Sequence, residues 1–348
     1  MISERLKIIA GQAPLPTDML TRAELIEFAD AHHVLGQMAV AWHGRVKGKL
    51  VEVFENAILR TEFDHRMLEF ELNRLERALG GSDITPVVLK GGAYVATNIK
   101  ASYGRRVSDL DILVPVVQLA ETEKLLRHYG WENDAATDNA YDQNYYRKYM
   151  HELSPLRHVK RKSILDVHHA LVPKTSRVRI QTEKMIESAV LIEGRKLKTF
   201  EAVDVFIHAA VHAFADGSFD TPTRSLLELN YLLQDLDVEQ QGRLGFRART
   251  LGAEMPIATA LWMLSTTMAD LHAKEILESE KLKPANCLVR WALIRKLEHA
   301  EGLAMAKFML FIRSHYLRMP FTLLAAHLLR KIFRKGLALK AKGFRTES

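Results

Sequence analysis

The stretch Ser108-Asp109-Leu110-Asp111-Ile112-Leu113-Val114 decides how this chain is read. Aliphatic residues surround two carboxylates spaced two apart, and Pro115 stops the run, as expected of a short strand. Side chains alternate faces along a strand, so Asp109 and Asp111 point one way while Leu110 and Ile112 point into the opposite layer. Two neighbouring carboxylates repel each other unless a cation sits between them or water surrounds them. Mg²⁺ suits such a pair, because it takes oxygen ligands and bridges carboxylates to phosphates.

Working outward, Pro86-Val87-Val88-Leu89 is a short apolar run closed by Lys90-Gly91-Gly92, the pattern of a buried strand, a glycine turn and a helix start. Such a turn places backbone N–H groups where a phosphate approaches, and Lys90 adds a point charge. The spacing is not that of a P-loop. Downstream, Ser163-Ile164-Leu165-Asp166-Val167-His168-His169 repeats the strand logic, with Asp166 and His168 on one face. If the two strands are neighbours, Asp166 completes a carboxylate triad able to hold one or two metals. A helix over 116–129 and an extended segment within 145–159 fill the interval.

The flanks differ in texture. Residues 1–80 predict helices: one through AELIEFADAHHVLGQMAVAWHG, capped by Thr21 or Thr17, and a second over 49–79 closed by Gly80-Gly81 in the left-handed geometry that glycine tolerates. Helical patterns return from about residue 201, in FEAVDVFIHAAVHAFA and RSLLELNYLLQDL, with 216–218 and 221–222 as the loop between them. Three regions follow: 1–80 helical, 81–200 mixed α/β, and 201–348 helical with a basic tail.

The order LKGGAYVA, RRVSDLDILVP, ILDVHHAL resembles the polymerase-beta-type nucleotidyltransferase superfamily, and more closely its bacterial "uncharacterised nucleotidyltransferase" family. The matching residues are Lys90 and Gly91, Arg105 four residues before Asp109-x-Asp111, and Asp166-x-His168. Gly92 stands where many superfamily members carry a serine that touches the triphosphate. The resemblance implies an α+β fold, with a small mixed β-sheet nucleotidyltransferase core at 81–200 between the two helical regions. It implies Mg²⁺ (or Mn²⁺) on Asp109, Asp111 and Asp166, and an NTP such as ATP held near Lys90, Gly91, Gly92, Arg105 and Ser108. An acceptor attacks the α-phosphorus and pyrophosphate leaves. His168 and His212 are candidates to support the site from behind. Two alternatives stay open: a non-catalytic nucleotide-binding regulator, and a toxin- or antitoxin-type nucleotidyltransferase acting on tRNA or protein.

Each residue also has a plainer reading. The aspartates could be solvated groups at a strand mouth, and Lys90 and Arg105 could serve as ion-pair partners of those aspartates. His208 and His212, spaced i, i+4, could hold zinc, but Ala209 replaces the glutamate of HExxH, so core histidines are the simpler reading. Glu228 could face the site from the helical C-terminal region, though an exposed helix carboxylate is the simpler reading.

The 348 residues carry 49 basic and 42 acidic groups, a net charge of +7. No Asp or Glu occurs from Gly302 to Thr346, whereas ten Lys and Arg do. The tail 306–345 therefore suggests an anionic membrane surface or a membrane-bound partner. Nucleic acid would use the same charges, but no RNA-binding motif accompanies them. The single Cys287 excludes an internal disulfide, and neither a leader nor a spanning apolar run is evident. Cytoplasmic placement, peripheral to a membrane, is the expectation.

Overall fold

The computed structural model describes residues 2–133, 149–215, 219–299 and 301–318. Its first helices are α1 (Ile2–Ile9), α2 (Met19–Ala31), α3 (Leu35–Trp42) and α4 (Lys49–Leu79). The single helix expected across α2 and α3 is two. His33 turns left-handed, at φ 58°, a conformation costing a side-chain-bearing residue about 1–2 kcal/mol. Val34 is fully buried beneath the break. The cap of α2 is Asp18, whose carboxylate accepts from the Thr21 N–H at 2.8 Å. The side chains of Thr17 and Thr21 do not take that role. The end of α4 also departs from expectation, since Gly80 keeps a right-handed φ of −64°.

Seven strands occur among the described residues: β1 (Val87–Val88), β2 (Asp109–Leu113), β3 (Trp131–Asn133), β4 (Leu156–His158), β5 (Ile164–His168), β6 (Val190–Leu191) and β7 (Lys198–Thr199). They form one mixed sheet in the order β3-β4-β5-β2-β1-β7-β6. β2 runs parallel to β5 and antiparallel to β1. Of the extended segment expected over 145–159, only β4 is strand; 145–148 lie outside the described residues.

Among the described residues, three α-helices belong to this middle region: α5 (Lys90–Ala96), α6 (Leu119–His128) and α7 (Thr182–Glu187). The helical C-terminal region comprises α8 (Ala202–Phe214), α9 (Pro222–Asp235), α10 (Val238–Leu251), α11 (Glu254–Thr267), α12 (Leu271–Ser279), α13 (Cys287–Glu298) and α14 (Leu303–Arg318). The expected loop residues 216–218 lie outside the described residues. α8 is apolar nearly all round and is accordingly enclosed, packing on α9, α10, α11 and α5. The hydrophobic core is continuous from Leu6 to Leu310. The fold is α+β, a mixed sheet between helical regions, and α5 and α8 bring two helical walls to the β2–β5 strands.

Candidate active site

The parallel register sets Asp111 directly beside Asp166, and Asp109 beside Ile164. Paired residues of neighbouring strands share a face, so Asp109, Asp111 and Asp166 stand on one side of the sheet. Asp111 is buried, 3% exposed, while Asp109 and Asp166 are half-buried.

Asp111 Oδ1 accepts two bonds, from Lys90 Nζ at 2.7 Å and from His168 Nε2 at 2.9 Å. Burial alone would raise the Asp111 pKa, but Lys90 and His168 outweigh it and hold the carboxyl well below the usual range. Lys90 shows the converse: burial works against its charge, and Asp111 overcomes this and raises its pKa. The Lys90 backbone is left-handed, at φ 49°. Leu89 N–H bonds to Asp111 O at 3.0 Å, so the turn into α5 is tied to β2 by the Leu89 main chain and the Lys90 side chain.

Asp166 differs. Its Oδ1 is buried and lacks a hydrogen-bond partner among the described residues. Burial, followed by the charges of Asp111 and Glu152, pushes its pKa up to about 7. An orphaned carboxylate oxygen beside a second carboxylate fits a cation, which would satisfy both. Without a cation, folded Asp166 keeps a proton that the unfolded chain releases between the ordinary value of 3.8 and about 7. Its contribution to stability therefore falls as pH rises through that window, and is level above it. Asp166→Asn should accordingly stabilise the chelator-treated protein, with little gain at pH 4 and on the order of 1–4 kcal/mol at pH 8. Urea unfolding at the two pH values in EDTA checks this; a gain independent of pH would contradict it.

Arg105 is buried, 8% exposed. Its Nε donates to Glu228 Oε1 at 2.8 Å, and its guanidinium packs 5.6 Å from the Tyr94 ring centre. Glu228 is therefore a buried partner, 9% exposed, which corrects its reading as an exposed helix carboxylate. It also faces Arg224 Nε at 3.5 Å. Gly91 makes room for this pair: a Cβ there would stand 1.8 Å from Arg105 Nη1. Gly92 serves packing, since a Cβ there would press on Val88 and Leu110 at 3.0 and 3.2 Å. Ser108 Oγ donates to Asp109 Oδ1 at 3.1 Å.

Two cavities meet at this face. The first, about 290 Å³, brings together Lys90, Gly91, Arg105, Ser108, Asp109 and Asp111, with His212 and Arg224 opposite. The second, about 260 Å³, is lined by Asp166, His168, His151 and Glu152. Lys90, His208 and His212 border both. Burial keeps His208 neutral by lowering its pKa well below the usual value. The His208 and His212 rings lie 6.5 Å apart, and no third ligand joins them among the described residues. Sequence reasoning missed His151, Glu152 and Arg224. Arg224 carried one usable signal, its i, i+4 spacing from Glu228.

Carboxylates on adjacent strands, faced by a lysine at a strand–helix turn, are suited to divalent-cation and phosphate chemistry. Comparison with family models supplies the class. The model described as "Uncharacterised nucleotidyltransferase" matches residues 20–269. The chain belongs to that family, and is a transferase of nucleotidyl groups. No curated protein matches it. Among solved structures, it is similar to the solution structure of the antibiotic-resistance factor ANT(2'')-Ia. The identity is 15%, the match covers 54% of this chain and 94% of that chain, and the TM-score is 0.35.

Proposed function

We propose that the chain transfers a nucleoside monophosphate from an NTP to an acceptor oxygen or nitrogen, with Mg²⁺ (or Mn²⁺) held by Asp109, Asp111 and Asp166. The observation that carries this reading is the register of Asp111 beside Asp166, with Asp109 on the same face. A bound divalent cation would draw triphosphate oxygens to the carboxylates and offset the charge that develops during displacement. The first cavity, with Lys90, Arg106 and Arg224 on its walls, holds the polyphosphate. Arg105 keeps that wall in place through Glu228. The second cavity admits the acceptor. As the acceptor bonds to the α-phosphorus, the bond to the bridging oxygen breaks and pyrophosphate leaves with the electron pair. The acceptor proton passes to Asp166, the carboxylate that lines the second cavity. His212, at the border of the cavities, orients the groups between them. In this division of labour, 81–200 supplies the carboxylates and Lys90, 201–348 closes the polyphosphate cavity through α8 and α9, and 1–80 braces the sheet.

Incubation with Mg²⁺, each α-³²P-labelled NTP and cell lysate tests the reading and identifies nucleotide and acceptor together. Label on any one molecular class supports nucleotidyl transfer, with tRNA or a single protein as the labelled class identifying its toxin-type form. NTP binding with no transfer favours the regulatory alternative.

The C-terminal region supports peripheral association of this cytoplasmic enzyme with an anionic membrane surface. α14 exposes Met305, Phe308, Phe311 and Ile312, each at least half exposed, on a helix whose Ala306 and Leu310 are buried. Beyond it, residues 319–348 are outside the described residues, but they hold most of the basic tail 306–345. No helix among the described residues is long and apolar enough to cross a membrane. Binding should therefore be interfacial and salt-sensitive. Co-sedimentation with phosphatidylserine vesicles, weakened by Phe308→Ser/Ile312→Ser and by high salt, is the expected result. Equal pelleting with uncharged vesicles, or none with either, would contradict it.

A further inference from the structure

We propose that His151, Glu152 and His168 form a second metal centre, of transition-metal type, beside the carboxylate face. One donor atom from each lies within 4.8 Å of the others. His168 Nδ1 is 3.4 Å from Glu152 Oε2, and His151 Nε2 is 3.9 Å from the same oxygen. Ligand atoms around tetrahedral Zn²⁺ stand about 3.3 Å apart, so small side-chain movements close the set.

The backbone holds the three residues in place. Glu152 bridges antiparallel to His168, Leu153 N–H bonds to Val167 O at 2.9 Å, and His169 N–H bonds to His151 O at 2.8 Å. Residues 151–153 are thus stitched to β5, and a metal joining them needs no loop to be ordered.

Asp111 as a carboxylate only accepts, so the His168 nitrogen facing it, Nε2, is the donor. That orientation turns Nδ1 toward the Glu152 carboxylate, where a metal taken up by the three side chains would stand in place of a proton. The arrangement carboxylate–histidine–metal is one in which the carboxylate fixes the tautomer and strengthens the ligand; here Asp111 is that carboxylate. Two imidazoles and one carboxylate suit Zn²⁺ or Co²⁺ rather than Mg²⁺, which prefers oxygen. The side open to the second cavity leaves a coordination position for water or a substrate oxygen. Asp111 would then connect two centres: one oxygen-lined for a hard cation, one nitrogen-rich.

The test uses the full-length chain, stripped by chelator and titrated with Co²⁺ without nucleotide. The wild type should bind with the visible d–d absorption of a four- or five-coordinate nitrogen-containing site. His151→Ala and Glu152→Gln should each weaken binding by more than about 10-fold, whereas Asp109→Asn should leave it intact. Thermal unfolding and Mg²⁺-dependent NTP binding by the His151→Ala protein control for folding and report the carboxylate site separately. Absence of a Co²⁺ spectrum in the wild type would overturn the proposal, since a protonated His168 bridging Asp111 and Glu152 would then suffice. A spectrum unaffected by His151→Ala but lost in Asp109→Asn would also overturn it, by placing the ion on the carboxylates.

Discussion

Asp109→Asn is expected to lower nucleotidyl transfer at least ~10³-fold while changing stability by no more than about 0.5 kcal/mol. Asp109 is half-buried at the strand start, and its one side-chain bond among the described residues comes from Ser108. Asparagine keeps that acceptor and the shape but lacks the charge that holds a cation. Asp111→Asn should match the loss of activity and add a cost in stability. Lys90 and His168 both donate to its Oδ1, and a neutral amide oxygen is a weaker partner for a half-buried ammonium, by about 1–3 kcal/mol. Labelled transfer and urea unfolding on the two variants separate these effects. If Asp109→Asn retained activity, the carboxylate would not be holding the metal.

Glu228→Ala carries the second large effect. It leaves the Arg105 guanidinium buried without its carboxylate, beside Arg224, and breaking a buried pair from one side costs about 3–5 kcal/mol. Arg105→Met/Glu228→Leu should recover most of that loss, because removing both charges removes the burial penalty as well. Gly91→Ala should destabilise through the same residue, by driving a methyl group into Arg105. Denaturant midpoints check all three. Glu228→Ala unfolding like the wild type would show that the pair does not hold the cavity wall.

The parts of the fold that sequence made legible are those with strong local periodicity. α4 spans 49–79 as its uninterrupted amphipathic pattern requires, and β2 and β5 lie within a residue or two of their alternating stretches. β3, β6 and β7 were not foreseen, because strands of two or three residues are too short to show a period. The break between α2 and α3 depends on one left-handed histidine, His33, which propensity does not anticipate. The carboxylate face was legible because Asp109, Asp111 and Asp166 each sit in a readable strand, and only their adjacency needed the structure. The Glu228–Arg105 pair was not, because the two residues lie 123 positions apart and nothing on α9 alone names the partner. His151 and Glu152 precede β4 in irregular chain, and their role depends on an isolated bridge to His168.

The central claim is most directly tested by comparing α-³²P- and γ-³²P-labelled NTP with Mg²⁺ and the acceptor found in lysate. Nucleotidyl transfer predicts α-label on the acceptor, γ-label only in pyrophosphate, and loss of both in Asp109→Asn. Label from the γ-phosphate on the acceptor, or α-label transferred equally well by Asp109→Asn, would contradict it.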